Sequence, residues 1–209
     1  MVGGTGARSY NTVMGYRAMG SSNTQNNVGG NENVFIGAYS GNGTWTTAGC
    51  DLNTAVGYQS MQGAMNGALQ NSAFGANSLG GVTSGDNNVG VGFKAGFTGT
   101  DNVTTGTQNT FIGASTQATA SGAVNQTVIG YGAVSQSNNS VTLGNADVTG
   151  VYMAQDGGAT VHLSNINFTG QQSPSGDANN LDDYEEGDHT VTVTDNSGTI
   201  TLQSGGDTL

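Results

Sequence analysis

Apolar and polar residues alternate in short bursts along the first two-thirds of the chain, and each burst ends on a glycine. In Asn53-Thr-Ala-Val-Gly57-Tyr-Gln-Ser-Met61, Thr54 and Val56 fall on one face of an extended segment and Ala55 on the other. The same unit returns as Asn11-Thr-Val-Met-Gly15-Tyr-Arg-Ala-Met19 and Asn71-Ser-Ala-Phe-Gly75-Ala-Asn-Ser-Leu79. Looser copies are Asn33-Val-Phe-Ile-Gly37, Asn88-Val-Gly-Val-Gly92, Asn109-Thr-Phe-Ile-Gly113, Gln126-Thr-Val-Ile-Gly130 and a shifted Asn139-Ser-Val-Thr-Leu-Gly144. The pattern predicts a strand of four or five residues before each glycine. It predicts a second short strand after it, carrying a small residue such as Ala18, Ser60, Ser78, Ala95 or Ala133. Asn, Gly, Ser and Thr between the bursts are corner-forming residues.

The anchor glycines are 22, 20, 18, 17, 21, 17 and 14 residues apart. That period is too short for a two-helix repeat, and no stretch has apolar residues at i, i+3, i+4 and i+7. One repeat per coil, with coils stacked in register at about 4.8 Å, gives an all-β solenoid over residues 1–144. The Gly-Gly-x-Gly-x-Asp nonapeptide of a calcium-binding β-roll is absent. Residues 145–170, with β-formers at 141–153 and 159–163, predict a transition or neck. Residues 171–188 hold the only proline and an acidic turn, and read as a linker. Residues 189–209 predict a hairpin, His189–Thr194 against Thr199–Leu202 across Asp195-Asn-Ser-Gly198, as the start of a C-terminal β domain. A lone hairpin is marginal in water, so it should pack on something or continue.

Composition changes this picture in one respect. Only 34% of the residues are apolar and 8% charged, against roughly 45–50% and 25% in ordinary globular chains. Such values favour disorder, but Gly plus Pro is only 38 of 209 residues and the apolar residues are periodic. A thin core repeated along an axis needs fewer apolar side chains, and fewer still if several chains share it. The net charge of −11 reflects having only three cations, Arg8, Arg17 and Lys94. With no basic stripe, nucleic acid is a poor partner. With no apolar run near 18 residues, membrane insertion is not expected. One cysteine, Cys50, excludes an intrachain disulfide.

The unit Asn-Thr-x-aliphatic-Gly-Tyr-x-Ala/Ser-Met/Leu, across residues 11–144, resembles the head repeats of trimeric autotransporter adhesins. The resemblance implies a left-handed parallel β-roll wound as a homotrimer. It implies that Met14, Ile36, Val56, Phe74, Val91, Ile112, Ile129 and Leu143 line the coil interior, toward the trimer core. The family's repeats are shorter, so these coils are expected to carry surface loops, the longest at 16–32, 38–52 and 93–108. Two further stretches, Ser140-Val-Thr-Leu-Gly-Asn-Ala-Asp-Val-Thr149 and Leu181-Asp-Asp-Tyr-Glu-Glu-Gly-Asp-His-Thr-Val-Thr192, look like junction segments of bacteriophage tail-fibre and related virion proteins. Together the resemblances imply a structural fibre segment of a virion that contributes to host attachment. Its partners would be other tail proteins and a host polysaccharide or protein receptor. The head of a bacterial surface adhesin is the alternative, and a polysaccharide-cleaving tailspike a third.

Candidate chemistry is sparse. Asp182, Asp183, Glu185, Glu186 and Asp188, with His189, could offer oxygens to Ca²⁺, or form a solvated turn that guards a strand edge. Asp182 and Glu185 as a glycosidase pair would need a cleft that nothing in the sequence provides. His162 and His189 lack further ligands at zinc-like spacing. The glycine-rich stretches contain no phosphate-loop motif. The chain is therefore expected to be non-enzymatic, with no metal or cofactor. Receptor contact is assigned to Trp45, for which covering the next coil is the competing and commoner role, and to Phe93 and Phe97, since aromatics dominate binding hot spots.

Overall fold

The computed structural model describes residues 10–20, 30–45, 49–154, 160 and 162. Nearly all lie in the first of two compact units, Met1–Gly157 and Gly158–Leu209. The linker, acidic turn and hairpin expected over 171–209 fall outside the described residues.

The first unit is a parallel β-solenoid of about seven turns. Its strands are β1 (Thr12–Met14), β2 (Val34–Ile36), β3 (Thr54–Val56), β4 (Ser72–Phe74), β5 (Val89–Val91), β6 (Thr110–Ile112), β7 (Gln126–Ile129) and β8 (Ser140–Leu143). They form one sheet in chain order, every neighbour parallel. The register aligns the repeat units position by position. Met14, Ile36, Val56, Phe74, Val91, Ile112, Ile129 and Leu143 make one continuous row. Isolated bridges Thr107–Val124 and Gln117–Val134 mark two further sides of the coil. After β8 no strand occurs in residues 144–154, so the regular stacking ends there.

Close approach of backbones explains the anchor glycines. Gly15, Gly37, Gly57, Gly75, Gly92, Gly113 and Gly130 have φ between +125° and +139°. A Cβ on any of the first six would lie 2.5–2.7 Å from the carbonyl oxygen of the glycine one coil on. Both the positive φ and the contact demand glycine. The segment after it is a tight turn rather than the expected second strand. Its second residue (Arg17, Tyr39, Gln59, Asn77, Lys94 or Ser115) adopts a left-handed φ of 53–58°. The small residue that follows is still aligned. Ser40, Ser60, Ser78, Ala95 and Ala133 are buried, and the Ser40 and Ser78 hydroxyls donate to Ala55 and Gly90 carbonyls of the next coil, at 3.0 and 2.9 Å.

The residue that precedes β2 to β6 is a buried asparagine (Asn33, Asn53, Asn71, Asn88 and Asn109), and these form a polar column. Asn53 donates from its backbone N–H and from Nδ2 to the Asn33 Oδ1, at 2.8 and 3.1 Å. Asn71 does the same to Asn53, Asn88 to Asn71, and Asn109 to Asn88, all within 2.9–3.1 Å. The second Nδ2 hydrogen reaches a carbonyl across the coil: Ala68, Gly85, Gly106 and Ala123 for Asn53, Asn71, Asn88 and Asn109. Buried amides are tolerated because donors and acceptors are used at every rung. The Asn71→Ala variant should therefore strand the Asn88 N–H, the Asn88 Nδ2 and the Gly85 carbonyl. A loss of about 3 kcal/mol is expected, measurable as a lowered denaturant midpoint.

The coil interior corrects the sequence reading. From β2 to β7 it is lined by the strand residue between the two outward ones, Phe35, Ala55, Ala73, Gly90, Phe111 and Val128, all fully buried where they carry a side chain. The row from Met14 to Leu143 points the other way, out of the coil. Six of its members are exposed, Phe74 at 43% and Ile112 at 41% among them, while Ile36 and Val56 are half-buried. Strand alternation forces this choice, because the side chains between the asparagine and the glycine cannot all face inward. The interior fills by compensation across the coil. The fourth residue after the glycine is Gly41 where the strand offers Phe35, but Met61 or Leu79 where it offers Ala55 or Ala73. At the β5 coil both places are glycine, and the space belongs to the neighbours. A Cβ on Gly96 would sit 2.9 Å from Phe111 Cδ2 and 3.0 Å from Leu79 Cδ2. Such interdigitation is the close packing of ordinary protein cores.

Within the 38–52 and 93–108 segments Trp45, Cys50 and Val103 are buried, as Met65 and Val82 are in the coils between. The expected surface loop in 93–108 is present. Leu79 and Thr83 donate from their N–H groups to the Ala95 and Thr104 carbonyls of the next coil, so the longer coil carries extra residues, and Gly99, Thr100 and Asp101 among them are exposed. Residues 21–29 and 46–48, in the other two expected loops, lie outside the described residues.

Candidate functional site

Three columns share the outer corner of the solenoid. The first is the outward row from Met14 to Leu143, eight apolar rungs over about 34 Å at the usual strand spacing. Beside it run the first outward residues of the strands, Thr12, Val34, Thr54, Ser72, Val89, Thr110, Thr127 and Val141, in the same register. β-Branched side chains dominate both, which suits a pleated surface. A contiguous apolar stripe of this length is uncommon on the surface of a monomer. The third column follows the anchor glycines and includes the exposed rings of Tyr16, Tyr58, Phe93 and Tyr131.

Of the three expected receptor residues, Trp45 is placed elsewhere. It is 1% exposed, packs edge-to-face on Phe35 at 5.7 Å, and donates from Nε1 to the Gly41 carbonyl at 2.9 Å. It fills the coil because Gly30 and Gly41 leave room for a large ring pair. Phe93 is on the surface, 51% exposed, with the Lys94 ammonium 5.4 Å from its ring centre. Phe97 is half-buried and lies over Gly80 and Gly81, whose Cβ positions its ring would obstruct. The structure does not bring Trp45, Phe93 and Phe97 together.

Cys50 is buried. Its Sγ accepts the Gly67 N–H at 3.2 Å. Burial pushes the thiol up from its usual range, with smaller contributions from the Asp51 and Asp86 carboxylates. It is in consequence a poor thiolate nucleophile at neutral pH. Asp51 and Asp86 act as corner residues, their Oδ1 atoms accepting the Asn31 and Leu69 N–H at 2.7 and 2.8 Å. Among the described residues no group of three or more His, Cys, Asp or Glu could hold a metal ion, and no helix is long and apolar enough to cross a membrane. The acidic cluster 182–188 and His189 lie outside the described residues.

Sequence reasoning also missed a shallow cleft of about 370 Å³ lined by Tyr39, Asn42, Gly43, Thr44, Gln59, Gln62 and Ala64. These residues come from two successive coils, so only the register assembles them. The Tyr39 ring stands edge-on to Tyr16 and Tyr58, at 5.4 and 6.1 Å. Neither a protein-family model, nor a curated protein, nor a solved structure matches the chain.

Proposed function

We propose that this chain is a structural fibre segment of a virion appendage, assembled as a homotrimer into a stiff rod and contributing to attachment at a host surface. The observation that carries the reading is the outward row from Met14 to Leu143, with large apolar side chains exposed at successive rungs. Three copies turning this row toward a common axis would bury it, and the parallel register would let equal rungs meet at equal height. Coil-on-coil hydrogen bonding supplies stiffness along the rod. Three copies of any weak surface contact would then act together through avidity. The residue pattern shared with adhesin heads and with phage-fibre junction segments supports the same role. On this reading the protein needs no catalytic group and no cofactor.

The test is where the protein is found. Antibody raised against the folded chain should decorate the tail appendages of particles produced from the genome that encodes it. Label confined to the bacterial cell surface would instead favour an adhesin head.

A further inference from the structure

We propose that the corner beyond the glycine column binds an extended, neutral polysaccharide laid along the stacking direction of the coils. This rests on the attachment role proposed above and names its ligand class.

The carrying observation is an alternation. Backbone hydrogen bonds at 2.8–3.0 Å, such as Gln59 N–H to the Ala38 carbonyl and Asn77 N–H to the Tyr58 carbonyl, place the residue after each anchor glycine in one column. That column reads Tyr16, Ala38, Tyr58, Ala76, Phe93, Ala114, Tyr131. Every second coil presents a ring, and alanine lies between. The four rings are 49–75% exposed. They recur about 9.6 Å apart, two coil steps, which is too far for them to stack on one another. An extended β-linked glycan repeats its orientation every second sugar, with a closely similar repeat length. Tyr58, Phe93 and Tyr131 would thus meet the same C–H face of successive disaccharide units over the alanine methyls, while between Tyr16 and Tyr58 the Tyr39 ring stands 5.4 and 6.1 Å from the two.

The adjoining cleft suits the same ligand. Tyr39 offers an aromatic wall. Asn42, Gln59 and Gln62 offer primary amides, each able to donate to and accept from sugar hydroxyls. Its lining contains no carboxylate and no cation. The chain's net charge of −11 disfavours acidic polysaccharides at long range, while Arg17 and Lys94 stand 5.9 and 5.4 Å from the Tyr39 and Phe93 ring centres, which is why an acidic series is the comparison. A small open cleft with a few placed polar groups is a normal binding site geometry.

The experiment uses the intact native protein with cello-, manno- and chito-oligosaccharides from disaccharide to hexasaccharide, and hyaluronan oligosaccharides as the acidic comparison. Saturation-transfer NMR identifies binders and calorimetry ranks them. At least one neutral series should bind, gaining about tenfold in affinity once the chain is long enough to span two rings. Tyr58→Ala should lose about tenfold without loss of fold, since alanine already occupies this place in three other coils. A Gln59→Ala/Gln62→Ala double variant should weaken binding comparably. The proposal is overturned if no neutral series binds, if only the acidic one does, or if both variants bind as well as the parent. The chain's native mass, read on the same sample, reports separately on the rod: a trimer without sugar binding removes the glycan site alone, and a sugar-binding monomer removes the rod alone.

Discussion

Replacing Gly57 by alanine is expected to lower stability on the order of 4 kcal/mol, whereas the same change at Gly99 should cost about 1 kcal/mol or less. Both glycines have positive φ, +139° and +106°, so both variants incur backbone strain. They differ in what the new methyl meets. At Gly99 there is nothing within 4 Å. At Gly57 the Cβ would lie 2.5 Å from the Gly75 carbonyl oxygen, 2.6 Å from its carbon and 3.0 Å from the Ala76 nitrogen. These are backbone atoms, so no side chain can swing aside. The coils would have to separate, weakening the 2.8 Å bonds from Gly75 N–H to the Val56 carbonyl and from Asn77 N–H to the Tyr58 carbonyl. Against a typical total of roughly 5–15 kcal/mol, that loss would unfold a large fraction of the protein on modest heating. Parallel thermal and denaturant unfolding of the two variants measures the difference. Equal losses would mean that strain, not coil contact, makes glycine necessary.

The second large effect separates the two faces of one strand. In β6, Phe111 is fully buried inside the coil and its neighbour Ile112 is 41% exposed outside it. Phe111→Asp places an unpaired charge in the core beside Gly96 and Leu79, and should abolish folding. Ile112→Asp leaves the charge within reach of water in a single chain, so the coil should keep its strand signature in circular dichroism. In the proposed trimer, however, the carboxylate would be buried once per copy near the common axis. Each costs several kcal/mol when desolvated without a partner, so the variant should be folded but dissociated. An Ile112→Asp protein with parental mass would show that this face is not the one the copies share.

That contrast also marks what the sequence made legible. The repeat unit, its start at asparagine and its end at glycine, and the alignment of eight rungs all followed from spacing, and every rung is in register in the structure. The direction of the rungs did not follow. Alternation defines two faces without saying which is inside, and here the outer face carries the larger aliphatics. The inner one includes Ala55, Ala73 and Gly90, whose small size reflects Met61 and Leu79 reaching in from across the coil. Pattern reading on one strand cannot see that compensation. Trp45 was misplaced for a related reason. Its surroundings in sequence are Gly, Asn and Thr, which look like a loop, yet the same glycines open the space that its ring occupies. The asparagine column could have been found, since asparagine precedes the strand in six consecutive copies, more regularly than a mere corner residue requires. The cleft at Tyr39 and Gln59 could not, because it exists only once two coils are stacked.

The most direct test of the shared apolar face is the mass of the native particle, by light scattering, before and after exposure to SDS without boiling. A particle of three times the 20.9 kDa chain mass that survives SDS is the predicted result. A folded monomer would leave the row from Met14 to Leu143 open to water and would contradict the trimeric rod.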